Sequence, residues 1–275
     1  MGEISIDPKF NIHETYKKVR ILNPYRNASP IGGVDPDYQA VLDYAAGNFI
    51  ALPDAAQQDL DNQVMIGLKN SGGWAKNDVI LKFKGTATPA FKLICWKRVI
   101  ETTPFGGLIW SNSGVKGNTV DTYINPQAPL STLTNYTRNN ASVSFFVEAV
   151  GDNSSTIYAL YGPSSTYSYN LINVNYPSAS MAINSVTNTT TSLGQNSIGF
   201  ISVNRISATQ IKLIAEQGVS INDMDSKPLQ AVSPYILARN RADNGTVDGF
   251  SDVNISYFFM GANIENEHNA IKAIL

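Results

Sequence analysis

At 275 residues and 29.8 kDa the chain can bury a substantial core, and its single cysteine, Cys95, excludes an internal disulfide. A net charge of −2 and a pI near 5.7 supply none of the positive field that nucleic-acid binding needs. Charged residues make up only 15%, below the usual quarter, and Asn, Ser and Thr replace them, as suits turns and solvated strand faces.

The N-terminal Met1-Gly2-Glu3-Ile4-Ser5 lacks the basic-then-apolar order of a secretory signal, and Ile6 breaks the myristoylation pattern. No stretch approaches the roughly 18 apolar residues of a membrane span, so no membrane insertion is expected. Residues 1–34 read as an arm: Pro8, Pro24, Pro30 and Gly32-Gly33 punctuate them, and no hydrophobic period is sustained. Such a segment is either disordered or ordered by a partner. Its short basic cluster, Lys17-Lys18 to Arg20, suits a solvated arm, with a docking role open.

Residues 35–78 predict a helical hairpin. Asp35-Pro36 is a capping acid followed by proline at the first helical position, with Tyr38, Val41, Leu42 and Ala45 on one face and Gly47 at the end. A second helix opens at Pro53-Asp54, shows Ala56, Leu60, Val64 and Leu68 at four-residue spacing, and stops at Asn70-Ser71-Gly72-Gly73. About 40 residues are too few for a stable domain, so the hairpin is expected to pack on the β-rich region C-terminal to it.

From Val79 the period becomes two. Val79–Phe83, Val143–Val147, Thr156–Tyr161, Ser197–Val203, Ile211–Ile214 and Ile255–Met260 are strand-like, separated by turn signals at Gly151-Asp152-Asn153, Gly162-Pro163, Asn244-Gly245 and Asp248-Gly249. Short strands without intervening amphipathic helices predict antiparallel sheets packed as a sandwich over 79–275, with a C-terminal helix from Ile264 to Leu275.

Catalytic signatures are sparse. A sandwich glycosidase needs two carboxylates roughly 5–10 Å apart, often alternating along one strand, whereas Glu101, Glu148 and Glu216 stand singly on different strands. There is no Gly-x-Ser-x-Gly, and the only histidines, His13 and His268, lie near the termini. Zinc, P-loop and dinucleotide patterns are absent. Cys95 sits in the apolar run Phe91–Trp96, where a buried, inert thiol is expected.

Two binding readings stay open. Asp243, Asp248 and Asp252 gather in one loop, with the hard oxygen donors calcium prefers. No bidentate Glu closes that loop, and Asn-Gly and Asp-Gly are also tight-turn pairs, so a plain turn competes and no other cofactor is implied. Tyr158, Tyr161, Tyr167 and Tyr169 cluster around Gly162-Pro163 and could stack on sugar rings. Tyr is equally a common strand residue that buries its ring.

The layout as a whole resembles the virion structural proteins of tailed bacteriophages and prophages of Bacteroidetes hosts, which carry a concanavalin A-like or laminin G-like jelly roll. The resemblance lies in Asn23-Pro24-Tyr25-Arg26 before a glycine-rich step, Tyr38–Ala45, Leu52-Pro53, Leu68-Lys69 to Gly73-Trp74-Ala75-Lys76, and Trp96-Lys97-Arg98. Further blocks are Gly117-Asn118-Thr119 to Tyr123-Ile124, Ile201–Thr209 and Ser256–Ala262. It spans about residues 20–265 in ordered short blocks and leaves residues 1–20 outside.

The resemblance implies a mainly β, two-sheet antiparallel jelly roll without known catalysis. It also implies a place on the virion, head or tail, after assembly in the host bacterial cytoplasm. Expected partners are other virion proteins, reached through the N-terminal region with Asn23, Pro24, Tyr25 and Arg26 as assembly contacts, and further copies of the chain. The alternatives are a phage receptor-recognition module that binds host-surface polysaccharide, and a sandwich-type glycoside hydrolase.

Overall fold

A computed structural model describes residues 33–151, 155–161, 169–175, 178–185, 189–192, 198–241 and 244–275, with the backbone alone at 155–161, 169–175, 178–180 and 189–192. The expected arm, including Asn23, Pro24, Tyr25 and Arg26, therefore lies outside the described residues apart from Gly33 and Val34. Val34–Leu275 form one compact unit.

Helix α1 (Pro36–Gly47) starts as its sequence predicts. Asp35 caps it, accepting from the Asp37 amide at 3.0 Å, and Tyr38, Val41, Leu42 and Ala45 are buried. Helix α2 (Ala55–Asn70) is capped by Asp54, which accepts from the Gln57 amide at 2.8 Å. Its buried face is rotated from the predicted one, which keeps Leu68 buried and Val64 partly buried but leaves Ala56 and Leu60 exposed. Gln57, Asp61, Met65 and Leu68 face inward, whereas Leu60 is 51% exposed. The reason is electrostatic: Asp61 meets Lys82 Nζ at 2.7 Å and accepts from Tyr38 and Gln57, so a polar stripe turns toward the core. A rule that places polar residues outside cannot anticipate that pair.

A single turn, α3 (Gly73–Lys76), leads into β1 (Asn77–Lys82), followed by α4 (Pro89–Lys92) and a two-stranded ladder of β2 (Ile94–Cys95) and β3 (Ile100–Glu101). Short strands come next: β4 (Thr103–Phe105), β5 (Ile109–Trp110), β6 (Val115–Lys116) and β7 (Tyr123–Asn125). Then come β8 (Ala141–Ala149), β9 (Ser155–Tyr161), β10 (Tyr169–Asn175), β11 (Ser178–Ser185), β12 (Thr189–Ser192), β13 (Gly199–Arg205), β14 (Gln210–Ala215) and β15 (Gly218–Asp223). The last are β16 (Tyr235–Ile236), β17 (Arg239–Arg241), β18 (Thr246–Asp248) and β19 (Asn254–Gly261), before α5 (His268–Lys272). The predicted C-terminal helix is thus one short helix after a turn.

The strands build a two-sheet antiparallel jelly-roll sandwich. Sheet I runs β15-β14-β13-β8-β19-β6-β5, with β1 also on β19. Sheet II runs β12-β11-β10-β9-β16-β7-β4, with β17 beside β9 and β18 beyond it. The pairings are antiparallel except that of β17 with β9. Alternation sets the core: Val143, Phe145 and Val147 on β8, Ile201 and Val203 on β13, and Phe258 and Met260 on β19 meet Ile124, Met181, Ile183 and Ile236. Each such burial stabilises by about 1.5–3 kcal/mol.

The outer face of sheet I is apolar as well. Ile80, Phe200, Tyr257 and Phe259 form a second core with Tyr38, Val41 and Met65 of the hairpin and Ile271 of α5. Arg205 is fully buried at the end of β13, donating to the carbonyls of Ile183 and Met224 and so tying the sheets together. Burial lowers its pKa from the usual value to about 10.

Candidate functional site

The five described α-helices lie with sheet I, which leaves sheet II to present the sandwich's other outer face. Three strands of sheet II place aromatic residues in one row. Phe105 is the register partner of Tyr123, and Ile124 pairs with Ile236, which sets Tyr235 diagonally beside Tyr123. The rings stack: Phe105 on Tyr123 with centroids 4.3 Å apart at 14°, and Tyr123 on Tyr235 at 4.5 Å and 16°. Ile124 and Ile236 are fully buried, so the neighbouring ladder residues point outward. Partial burial, and Tyr235 beside it, raise the Tyr123 pKa above its ordinary value.

Stacking decides which surfaces stay available. Interior rings of a ladder offer only edges and hydroxyls, whereas the ring on the edge strand β4, Phe105, is 40% exposed. Gly106 next to it sits at φ +66°, and a Cβ there would approach Asp121 Oδ1 to 2.6 Å, so this tight turn is built for glycine.

A polar row runs beside the aromatic one. Thr103 and Asn125 are register partners two residues along the same strands, about 7 Å away. Gln127 joins them: its side chain donates to Thr103 Oγ1 at 2.8 Å and to the Glu101 carbonyl at 3.0 Å, and its amide donates to Asn125 Oδ1. Arg98 donates to the Gln127 carbonyl at 2.7 Å. An apolar ring face flanked by amide and hydroxyl groups is chemically suited to a pyranose, which has an apolar face and a hydroxyl rim.

The tyrosines singled out from sequence fall elsewhere. Tyr158 and Tyr161 lie on β9 and Tyr169 on β10, where only the backbone is described, and Tyr167 is outside the described residues. The register sets Tyr158 opposite Ile236 and Tyr161 opposite Arg241. Phe105, Tyr123 and Tyr235 are not legible as a group in the sequence because they are scattered over about half the chain. Only strand register joins them.

For the calcium reading, Asp243 lies outside the described residues, and the other two acids have distinct surroundings. Asp248 pairs with Arg239 and Arg241 across the β17–β18 hairpin, whose turn places Gly245 at φ +71°. The Arg239 hydrogen bond holds the Asp248 carboxyl below the usual carboxylate range. Asp252 is largely buried against Gly151. Among the described residues no three His, Cys, Asp or Glu side chains gather as a metal site.

Two of the acids singled out from the sequence have lysine partners. Glu148 faces Lys84 at 3.5 Å, and Glu216 pairs with Lys272. His268 does meet a serine, with Nδ1 2.8 Å from Ser202 Oγ, but Ser202 is fully buried and Asn204 also donates to its hydroxyl. Burial depresses the His268 pKa to about 4, so the pair pins α5 onto sheet I as a neutral contact. Burial likewise raises the Cys95 thiol. No described helix is long and apolar enough to cross a membrane.

No protein-family model matches this chain, and no curated protein matches it. Solved structures do. The botulinum neurotoxin serotype D binding domain is 14% identical with a TM-score of 0.50, covering 73% of this chain and 52% of that one. The receptor binding domain of botulinum neurotoxin D is 13% identical over the same shares, with a TM-score of 0.48. NanB sialidase from Streptococcus pneumoniae is 13% identical with a TM-score of 0.44, over 59% of this chain and 27% of that one. The chain thus spans about half the length of the toxin domains it matches, and the likeness to the first of them is one of fold, a two-sheet β-sandwich.

Proposed function

We propose that this chain is a non-catalytic recognition component of a bacteriophage virion, and that the outer face of sheet II binds host-surface polysaccharide. The observation that carries the recognition reading is the ladder Phe105–Tyr123–Tyr235 beside the polar row Thr103, Asn125 and Gln127. The toxin domain of similar fold, a binding domain by name, makes the sandwich a reasonable vehicle for it. The place on a virion rests on the sequence resemblance to phage structural proteins, from Asn23-Pro24-Tyr25-Arg26 to Ser256–Ala262. The non-catalytic character is supported by the lysine partners of Glu148 and Glu216.

The test is binding of purified protein to capsular polysaccharide from candidate hosts. Phe105→Ala and Tyr235→Ala should each weaken binding at least about tenfold, the scale of one lost stacking contact, with an unchanged circular dichroism spectrum. Equal binding by both variants would remove the ladder from the reading, and release of reducing ends would remove the non-catalytic claim. The virion part is tested separately. Removing residues 2–30 should leave a folded protein that no longer enters particles, and density for the chain should appear in an electron-microscopy map of the intact particle.

A further inference from the structure

The loop that joins α1 to α2 puts a phenylalanine where glycine is usual. The Ile50 amide donates to the Ala45 carbonyl at 2.8 Å and the Phe49 amide to the Ala46 carbonyl at 3.2 Å, the paired bonds that close a helix on a left-handed residue. That residue is Phe49, at φ +58°. Glycine takes this conformation freely, whereas a β-carbon crowds the carbonyl oxygen that follows it. Burial does not repay the strain. Ile50 supplies the apolar contact by packing against the second core, and Phe49 is 98% exposed. Single exposed apolar residues are ordinary, but this one is held out at a cost, which points to a use.

Other apolar side chains stand near it. Leu52, three residues on, is exposed, and Leu60 shares an exposed stripe with Ala56 in the first turns of α2. The charge around this tip has one sign. Residues 34–67 contain six aspartates and no lysine or arginine. Lys69 answers Asp35 and Asp37, and Lys82 answers Asp61. The remaining three, Asp43, Asp54 and Asp59, have no cationic partner among the described residues. They accept only from neutral donors: Asp43 from Gln39, Asp54 from the Gln57 amide and Thr86, and Asp59 from Gln63.

An apolar anchor among uncompensated carboxylates limits what can cover it. Nucleic acid and anionic lipid are repelled, and so is the same tip of a second copy. An aromatic side chain in a pocket, with opposite charges around it, is the arrangement of a protein–protein hot spot. We propose that the α1–α2 tip docks on another protein, with Phe49 and Leu52 in an apolar pocket rimmed by lysine and arginine and with Asp43 and Asp59 against that rim. The surface is separate from the sheet II face. Only the partner's identity as a neighbouring virion protein rests on the virion reading.

The full chain carrying the photocrosslinker p-benzoylphenylalanine at position 49 is irradiated in producing cells and in particles purified from them. One dominant adduct to another protein is expected, with lysine or arginine beside the crosslinked residue of that protein. Asp43→Lys with Asp59→Lys in the same chain should cut its yield at least about fivefold. The same probe at Val219, an apolar site 59% exposed at a sheet edge, should not give this adduct. Phe49→Gly separates docking from folding: Tm should not fall, and the chain held per particle should drop at least about tenfold, the scale of a lost anchor. Absence of an adduct at position 49, the same adduct from Val219, or an adduct that charge reversal leaves intact overturns the docking surface. Full retention of Phe49→Gly in particles, or a lower Tm, overturns it as well. A charge-sensitive adduct formed in cells but missing from particles overturns the virion placement and leaves the surface standing.

Discussion

The two outer faces of the sandwich obey the same alternation yet end differently. On sheet I the outward residues Ile80, Phe200, Tyr257 and Phe259 are covered by the hairpin and α5, with Asp61, Lys82, Ser202 and His268 buried among them. On sheet II the outward row Phe105, Tyr123 and Tyr235 is covered only in part, by its own rings. Aromatic content does not separate the two faces; what packs against it does. A face that buries charge is committed to its partner helices, because an unmatched charge there is expensive. On sheet II no described helix packs over the row, and Phe105 at its edge is 40% exposed.

The sharpest way to break this comparison is at the buried ion pair. Lys82→Ala leaves Asp61 charged and enclosed, and should destabilise the fold by about 3–5 kcal/mol in chemical denaturation. Replacing both partners, as Lys82→Met with Asp61→Leu, should recover most of the loss; if it does not, the pair is more than electrostatic compensation.

Next in size is acidification. His268 has a folded-state pKa of about 4 against about 6.5 unfolded, so the unfolded state takes up the proton first. Its contribution is complete above about pH 6.5, falls as pH drops toward 4, and totals about 3 kcal/mol. His268→Gln should flatten the stability profile across that window, and an unchanged slope would show that α5 is not pinned through the imidazole.

Smaller effects sharpen the contrast. Asp54→Ala should cost about 1 kcal/mol through loss of the α2 cap, read as a fall in Tm. A double-mutant cycle on Tyr123→Ala and Tyr235→Ala should yield a coupling of about 0.5–1.5 kcal/mol, below the sheet I pair and enough to show that the ladder is preformed.

The fold is legible in the sequence because period and punctuation are local. Asp35-Pro36 sets the start of α1, and the alternating runs of β1, β8, β13, β14 and β19 fall within a few residues of their observed limits. Strands such as β10, β11 and β12 escape a reading by period because Asn, Ser and Thr blur their alternation. The buried face of α2 departs from its apolar spacing because nothing adjacent in sequence announces that Asp61 will meet Lys82.

The sequence by itself determined the class of the molecule: a mainly β sandwich with capped helices, a lone buried thiol and no linear catalytic motif. Tertiary structure alone decided which outward residues are covered, that Phe105, Tyr123 and Tyr235 form one ladder, and that Asp248 sits between two arginines. The division has a physical cause. Backbone propensity and hydrophobic period act over a few residues, whereas strand register and charge pairing join positions separated by tens to more than a hundred, which no window along the chain contains.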